Sequence, residues 1–314
     1  MPKRVIIAGP TAVGKTELSL RIAQYWDVPV VSADARQCYK YMDIGTGKIT
    51  RDERAGITHY NISILEPDVD DNVQLFLGRV EKWEKELGSD YPFLLFVGGS
   101  TLYLEGLIRP LDDVPESDTG ILLKLQEELN DKGIDHLYHQ LEKVDPFYAG
   151  KMDGQNTQRI LRALAVYRKT GKPFSSFHEQ DEHPEPNEDT LVFVLNRPRE
   201  HLYKRIEQRV DQMIEQGLVD EVKYLLRKGY DFRGSALKTV GYTELYNYLY
   251  GKYDLQEAIR LIKRNTRRYA KRQLTWFKRW QNVIWIDLDE LSEEEITDLM
   301  IQQINKVVAD QKIH

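Results

Sequence analysis

A single cysteine, Cys38, stands among 314 residues, which excludes an internal disulfide framework and any cysteine-based zinc site and fits a reducing compartment. No apolar run approaches the roughly 18 residues needed to span a bilayer, so no membrane partner is expected. Met1-Pro2-Lys3-Arg4 leads into only a handful of apolar residues, which reads as a first strand and not as a signal peptide. A cytoplasmic protein is expected. Excess positive charge is missing too: 44 Lys and Arg against 50 Asp and Glu leave a formal charge of -6. A chain basic all over is excluded, although an average conceals local fields. With no repeat and no low-complexity tract, the length fits one large domain or a domain with an insertion.

What is present begins with Gly9-Pro10-Thr11-Ala12-Val13-Gly14-Lys15-Thr16, between the apolar run Val5-Ile6-Ile7-Ala8 and a helical pattern from Glu17 to Trp26. Strand, glycine-rich loop and helix start form the arrangement that cradles a chain of phosphates. Loop amides and the positive end of the helix face the anion, Lys15 neutralises outer phosphates, and the Thr16 hydroxyl is a ligand for Mg²⁺. The loop names a ligand class, phosphate or diphosphate, and leaves the reaction open.

Further apolar runs at Val28-Ser32, Phe93-Val97, Leu191-Leu195 and Val283-Asp287 alternate with helical patterns. That alternation predicts an α/β fold with a parallel sheet covered by helices on both faces, the phosphate site lying at the C-terminal edge. Between Pro115 and Pro184 the strand signal vanishes, leaving helical segments at Gly120-Lys132, Ile134-Lys143 and Gln155-Thr170. The expected organisation is a core of residues 1–113 and 184–314 with a helical insertion over 114–183. The exit, His178 to Thr190, carries six acids with Pro184 and Pro186 and reads as a solvated linker or mobile loop.

Two local absences sharpen the reading. After Phe93-Val97 comes Gly98-Gly99-Ser100-Thr101, where a nucleotide hydrolase commonly puts the Asp that helps hold Mg²⁺. This weakens phosphoryl transfer and leaves diphosphate departure untouched; the glycines permit close approach of a ligand, and Ser100 or Thr101 supplies a hydroxyl. Within Arg260-Trp280 there are nine basic residues and no acid. Asp254 as N-cap with Glu257 as its reciprocal partner starts a helix of roughly 40 Å. On it Arg260, Lys263, Arg264, Arg267, Lys271 and Lys278 form one stripe, opposite Ile259, Ile262, Tyr269, Trp276 and Phe277. Solvated faces normally mix signs, so an unmixed stripe on an acidic protein points to a phosphate backbone.

Asp34, just past a short strand, reads as a contact to an acceptor or a metal-bound water, as a general base, or as a turn-forming residue. His178-Glu179 with His183 has the wrong spacing for a zinc protease, at about 140° around a helix. His136 and His139 read as exposed, and Cys38 as a small packed residue.

Taken together, GPTAVGKT at 9–16, SADARQCYKYMDIGTGK at 32–48, VGGSTLY at 97–103, QRILRALAVYRKTGKP at 158–173, TVGYTEL at 239–245 and NTRRYAKRQLTWFKRW at 265–280 resemble the tRNA dimethylallyltransferase (tRNA isopentenyltransferase) family over nearly the whole chain. The resemblance implies a P-loop kinase-like core whose helical insertion clamps the tRNA anticodon stem-loop. It also implies transfer of the dimethylallyl group from dimethylallyl diphosphate to the exocyclic N6 amine of the adenosine 3′ to the anticodon, with Mg²⁺ and without ATP. Gly9, Pro10, Thr11, Ala12, Val13, Gly14, Lys15 and Thr16 would grip the diphosphate, with Arg209 a further clamp and Thr16 the metal ligand. Asp34 would be the base and Ser100 a second catalytic group. Contacts to tRNA would come from Asp34, Ala35, Arg36 and Gln37, from Ser100 and Thr101, from Gln158, Arg159, Ile160, Leu161 and Arg162, and from Lys238, Thr239, Val240, Gly241, Tyr242 and Thr243. Departures from the family pattern fall at Ser100, commonly threonine, at Ala35, often serine, and at Thr243, often arginine. A monomer is expected. The competing readings are a P-loop kinase or prenyltransferase acting on a small nucleotide or metabolite, and a nucleic-acid-binding switch that uses nucleotide as a regulatory ligand.

Overall fold

The computed structural model describes residues 3–152, 154, 156–178, 184–232, 234 and 236–309. Two compact units make up the chain, Met1–Arg109 with His183–His314, and Pro110–Glu182.

The first unit is built on six parallel strands: β1 (Lys3–Ala8), β2 (Val30–Ala33), β3 (His59–Tyr60), β4 (Phe93–Gly98), β5 (Thr190–Asn196) and β6 (Ile284–Asp287), in the order β3-β2-β4-β1-β5-β6. The two-residue β3 is an edge strand too short to leave an apolar run in the sequence. Val5-Ile6-Ile7-Ala8 is apolar at every position because helices cover the sheet on both sides. On one side, Val5 and Ile7 pack with Leu18 and Ile22 of α1 (Lys15–Trp26), Leu202 and Ile206 of α7 (Arg199–Glu215), and Ile296 and Met300 of α11 (Glu293–Ala309). On the other, Ile6 and Ala8 pack with Phe76 and Val80 of α2 (Val73–Leu87), Leu104 and Leu107 of α3 (Thr101–Ile108), and Phe277 of α10 (Leu255–Phe277). A third cluster joins Cys38, Tyr39 and Met42 to α8 (Leu218–Arg227) and α9 (Tyr242–Leu249) through Val222, Leu225 and Leu245.

The register places the site. Ala8 pairs with Gly98, and Gly98 with Ala33, so three strands end level with one another. The next residues, Gly9, Asp34 and Gly99, therefore leave the sheet side by side at its C-terminal edge.

The second unit is helical, with α4 (Thr119–Val144), α5 (Pro146–Gly150), α6 (Thr157–Thr170) and a short 3₁₀ turn, Phe174–Phe177. Gly133, at φ 79° and ψ 172°, breaks α4 into two arms, which are the segments expected separately on either side of it. Gln155 lies outside the described residues; α6 starts two residues later, with the Asn156 side chain accepting the Arg159 N–H. Leu125, Leu137, Leu141, Ile160, Leu164 and Phe174 give this unit a core of its own. The acidic exit is not a free linker from Pro184 onward. Gln281 N–H donates to the Pro184 carbonyl at 3.1 Å, and Arg4 N–H to that of Asp189 at 2.8 Å.

Candidate active site

A cavity of about 630 Å³ opens at the strand ends of the first unit. Its wall includes Thr11, Ala12, Gly14, Lys15 and Thr16 of the phosphate loop, the turn Asp34-Ala35-Arg36-Gln37, Gly98-Gly99-Ser100, Arg205 and Arg209 of α7, and Thr239-Val240-Gly241. Phosphate cradle and strand-end aspartate thus share one space. Gly9, Pro10 and Val13 are buried and give the loop its shape.

The loop is braced from outside. Arg205 Nε donates to the Ala12 carbonyl and Arg197 Nε to that of Val13, both at 2.9 Å, while the Thr11 N–H is accepted by Gln273 Oε1 at 3.0 Å. Lys15 Nζ donates to the carbonyls of Gly9 and Pro10 at 3.0 and 2.8 Å. Burial pushes the Lys15 ammonium down to about 7; the Asp34 charge raises it and Arg209 lowers it further. An arriving diphosphate would hold the proton on.

Asp34 serves two ends with two oxygens. Oδ1 accepts the N–H groups of Arg36 at 2.8 Å and Gln37 at 3.4 Å, an Asx turn, while Oδ2 makes no hydrogen bond with any described residue. The turn-forming and chemical readings are therefore both realised, each by one oxygen. Ser100 Oγ accepts the Ala35 N–H at 2.8 Å, so it positions the Asp34 turn. Tyr269 is 37% exposed as a residue; desolvation around its phenol, with the Asp34 charge, pushes it up to about 12 and keeps it protonated.

Gly98 and Gly99 line the cavity, and the protein's own packing also keeps them bare. A Cβ on Gly98 would collide with the Ala33 backbone, and one on Gly99 would stand 2.5 Å from Gln273 Nε2. It is the protein's own strand and side chain that come close. Gly47 is bare because the Arg209 guanidinium packs onto it. The turn carrying Gly47 is held by Glu221, whose carboxylate accepts N–H groups from Asp43, Ile44 and Gly45 at 2.8–3.1 Å and the Tyr242 hydroxyl at 2.6 Å.

Known proteins share this architecture. The IPP transferase family model matches residues 37–280, and the isopentenyl transferase model residues 2–65. A tRNA dimethylallyltransferase of Carboxydothermus hydrogenoformans is 43% identical over 302 residues, 96% of this chain and 97% of that one. The chain belongs to the tRNA dimethylallyltransferase family. It is a transferase. Among solved structures, the full-length tRNA isopentenylpyrophosphate transferase of Bacillus halodurans is 35% identical, with all of both chains covered and a TM-score of 0.69. A eukaryotic dimethylallyltransferase acting on tRNA is 28% identical with a TM-score of 0.78, over 98% of this chain and 80% of that one. The expected parallel α/β core is the one this tRNA dimethylallyltransferase family member has.

The basic helix needs a correction. Asp254 caps α10 by accepting the Glu257 N–H at 2.8 Å, but the Glu257 carboxylate turns to Arg260, at 2.6 Å. Lys263 pairs with Asp211 at 2.7 Å and Arg267 with Glu207 at 2.5 Å, both acids on α7. The helix ends at Phe277, short of Trp280. Arg268, Lys271, Arg272 and Lys278 are exposed and make no ion pair with any described residue. Arg272 lies over the Tyr269 ring and Arg279 over the Trp276 ring, at 5.8 and 4.7 Å from the centroids.

Other residues singled out from the sequence scatter. Thr101 opens α3 and does not line the cavity, whereas its neighbour Ser100 does. Lys238 is exposed and Thr243 half-buried, both off the cavity wall; Tyr242 is fully buried against Glu221 and shapes a loop. In the second unit, Gln158 and Arg159 are exposed, Ile160 is core, Leu161 is half-buried and Arg162 donates to Ser117 Oγ at 2.5 Å. His136 is half-buried and His139 exposed. His178 pairs with Asp112 at 2.6 Å, and Glu179 and His183 lie outside the described residues. Cys38 is buried, its thiol pushed up to about 12 by that burial, and it is inert as a nucleophile. Arg205 and Arg197 stand in no block quoted from the sequence, and Gln273, inside the 265–280 block, has no role legible from it.

Among the described residues, no three His, Cys, Asp or Glu side chains converge into a metal cage, and no helix is long and apolar enough to cross a membrane. A hard cation carried in on diphosphate needs only one or two protein oxygens beside phosphate and water. Thr16, on the cavity wall, fits that demand for Mg²⁺.

Proposed function

We propose that the chain transfers the dimethylallyl group of dimethylallyl diphosphate to the exocyclic N6 amine of the adenosine 3′ to a tRNA anticodon. One observation carries this: an aspartate with an uncommitted oxygen opens into the same cavity as a glycine-rich anion cradle. Gly9–Thr16 holds the diphosphate, with Arg209 beside Lys15 as its clamp. Ser100 sets the Asp34 turn.

The amine lone pair is delocalised into the purine ring, so the nitrogen attacks well only as its proton is removed. Asp34 Oδ2 takes that proton while the N6–C1 bond forms and the C1–oxygen bond to diphosphate breaks. Charge growing on the departing diphosphate is met by loop amides, Lys15 and Arg209. Thr16 would hold Mg²⁺, which supplies further neutralisation of the leaving group. The adenine must be flipped from its stack, at about a few kcal/mol, to reach a cavity of this kind.

For RNA contact we assign Arg36, Gln37 and Thr239–Gly241 around the cavity, the exposed cations of α10 and, in the insertion unit, Gln158 and Arg159. Clamping of the anticodon stem-loop is the role we give residues 114–183. A complete cavity within one chain fits a monomer, and the cytoplasm is where such a substrate is met. The test is incubation with unmodified tRNA and dimethylallyl diphosphate without ATP, followed by nucleoside mass analysis. Adenosine heavier by one dimethylallyl group is the expected product; unaltered RNA together with consumption of ATP in a parallel reaction would reject the proposal in favour of a kinase.

A further inference from the structure

Gln273 sits mid-way along α10 and is 2% exposed. A buried primary amide is costly unless donor and acceptor are both met. Here they are met by the backbone of two different loops: Oε1 accepts the Thr11 N–H at 3.0 Å, and Nε2 donates to the Gly99 carbonyl at 2.7 Å. The path continues through the next residue, because Ser100 Oγ accepts the Ala35 N–H at 2.8 Å, and Ala35 follows Asp34. An unbroken chain of hydrogen bonds and peptide units therefore runs from the diphosphate loop to the carboxylate. Gly99 is part of the device, since a Cβ there would stand 2.5 Å from Nε2 and displace the amide.

We infer that Gln273 is a positioning residue for the transfer step, fixing the separation between the leaving-group cradle and the proton-accepting carboxylate; this rests on the roles proposed above for Gly9–Thr16 and Asp34. In an in-line displacement the attacking nitrogen, the allylic carbon and the leaving oxygen must align. The oxygen is held relative to Thr11 and its loop, and the nitrogen relative to Asp34. Neither substrate senses the distance between the anchors when it binds alone. Only the reaction does, and a misplacement of about 1 Å costs on the order of 10²-fold. Loss of Gln273 should therefore appear in the rate and not in either affinity.

The experiment uses the full chain with tRNA and dimethylallyl diphosphate, both saturating, in single turnover. Gln273→Leu keeps the volume and removes both bonds; Gln273→Glu keeps the acceptor for Thr11 and loses the donor to Gly99. Each should lower the transfer rate about 10–10²-fold, with the KM of each substrate within about threefold of the unmodified enzyme. In a cycle with Ser100→Ala, the double variant should lose about as much as the worse single variant, because both cut one path. An unchanged rate, a loss confined to the KM of the diphosphate, or losses that multiply would each overturn the inference. If Gln273→Leu is recovered unfolded, Gln273→Glu carries the same readings. Failure of the unmodified chain to transfer would instead count against the proposed function, so the two failures are told apart.

Discussion

The two halves of α10 carry the same kinds of residue and live in different electrostatic worlds. In the first, Arg260, Lys263 and Arg267 each face a carboxylate within 2.7 Å. In the second, Arg268, Lys271 and Arg272, with Lys278 just past the helix end, face solvent, and Arg272 has an aromatic ring beneath it. The difference teaches that charge density along a helix overstates what is available to a polyanion, because only the unpaired cations are unspent. The same test separates two carboxylates near the cavity. Both Glu221 oxygens are consumed by three backbone N–H groups and a tyrosine hydroxyl, whereas Asp34 keeps one back.

The contrast between carboxylates can be broken most severely at Asp34. Asp34→Asn retains the Oδ1 that builds the turn and deletes the base, so turnover should fall about 10²–10⁴-fold while tRNA binding and Tm hold. Equal turnover would reduce Asp34 to a turn residue. Glu221→Ala should do the reverse, lowering stability by about 2–4 kcal/mol, read as a fall in Tm, because four donors are left without their acceptor. A Tm that does not move would place Glu221 among the uncommitted acids.

Within the cavity, Lys15 is a cation whose proton is loosely held until an anion arrives. With the free group near 7, diphosphate binding above that pH must draw a proton onto Lys15, so affinity should weaken by up to about tenfold per pH unit as pH rises. Calorimetric titration between pH 7 and 9 checks the sign, and Lys15→Arg should flatten the curve.

On α10, Lys271→Glu with Arg272→Glu should weaken tRNA binding and flatten its log–log salt dependence by about 0.7–0.9 for each phosphate that is no longer neutralised. Lys263→Glu with Arg267→Glu should change the slope by less than a single phosphate would, since those cations are already neutralised. Equal slopes for the two pairs would erase the distinction between the halves.

What the sequence made legible follows local rules. Gly14, at φ 120°, and the Lys-Thr after it announce the phosphate loop, and Asp34 announces itself by ending a strand that the register sets beside β1 and β4. Gly133 marked the break in α4. The parts that stayed hidden depend on distant partners. The acids facing Lys263 and Arg267 lie 52 and 60 residues away on α7. Gln273 reads as one more polar position on a charged helix until the fold brings Thr11 and Gly99 to it. The glycines at 98–99 suggested room for a ligand and do line the cavity; the Ala33 backbone and Gln273, which pack on their Cβ side, were not legible.

The Ala12 and Val13 carbonyls of the phosphate loop are braced from positions 205 and 197, far along the chain from the loop itself. An excised N-terminal piece, even one spanning every residue of the glycine motif, would be a floppy and feeble anion receptor. Competence for the donor is thus a property acquired late, when the chain as far as residue 205 has closed over the loop, and a shorter nascent chain would not sequester prenyl diphosphate.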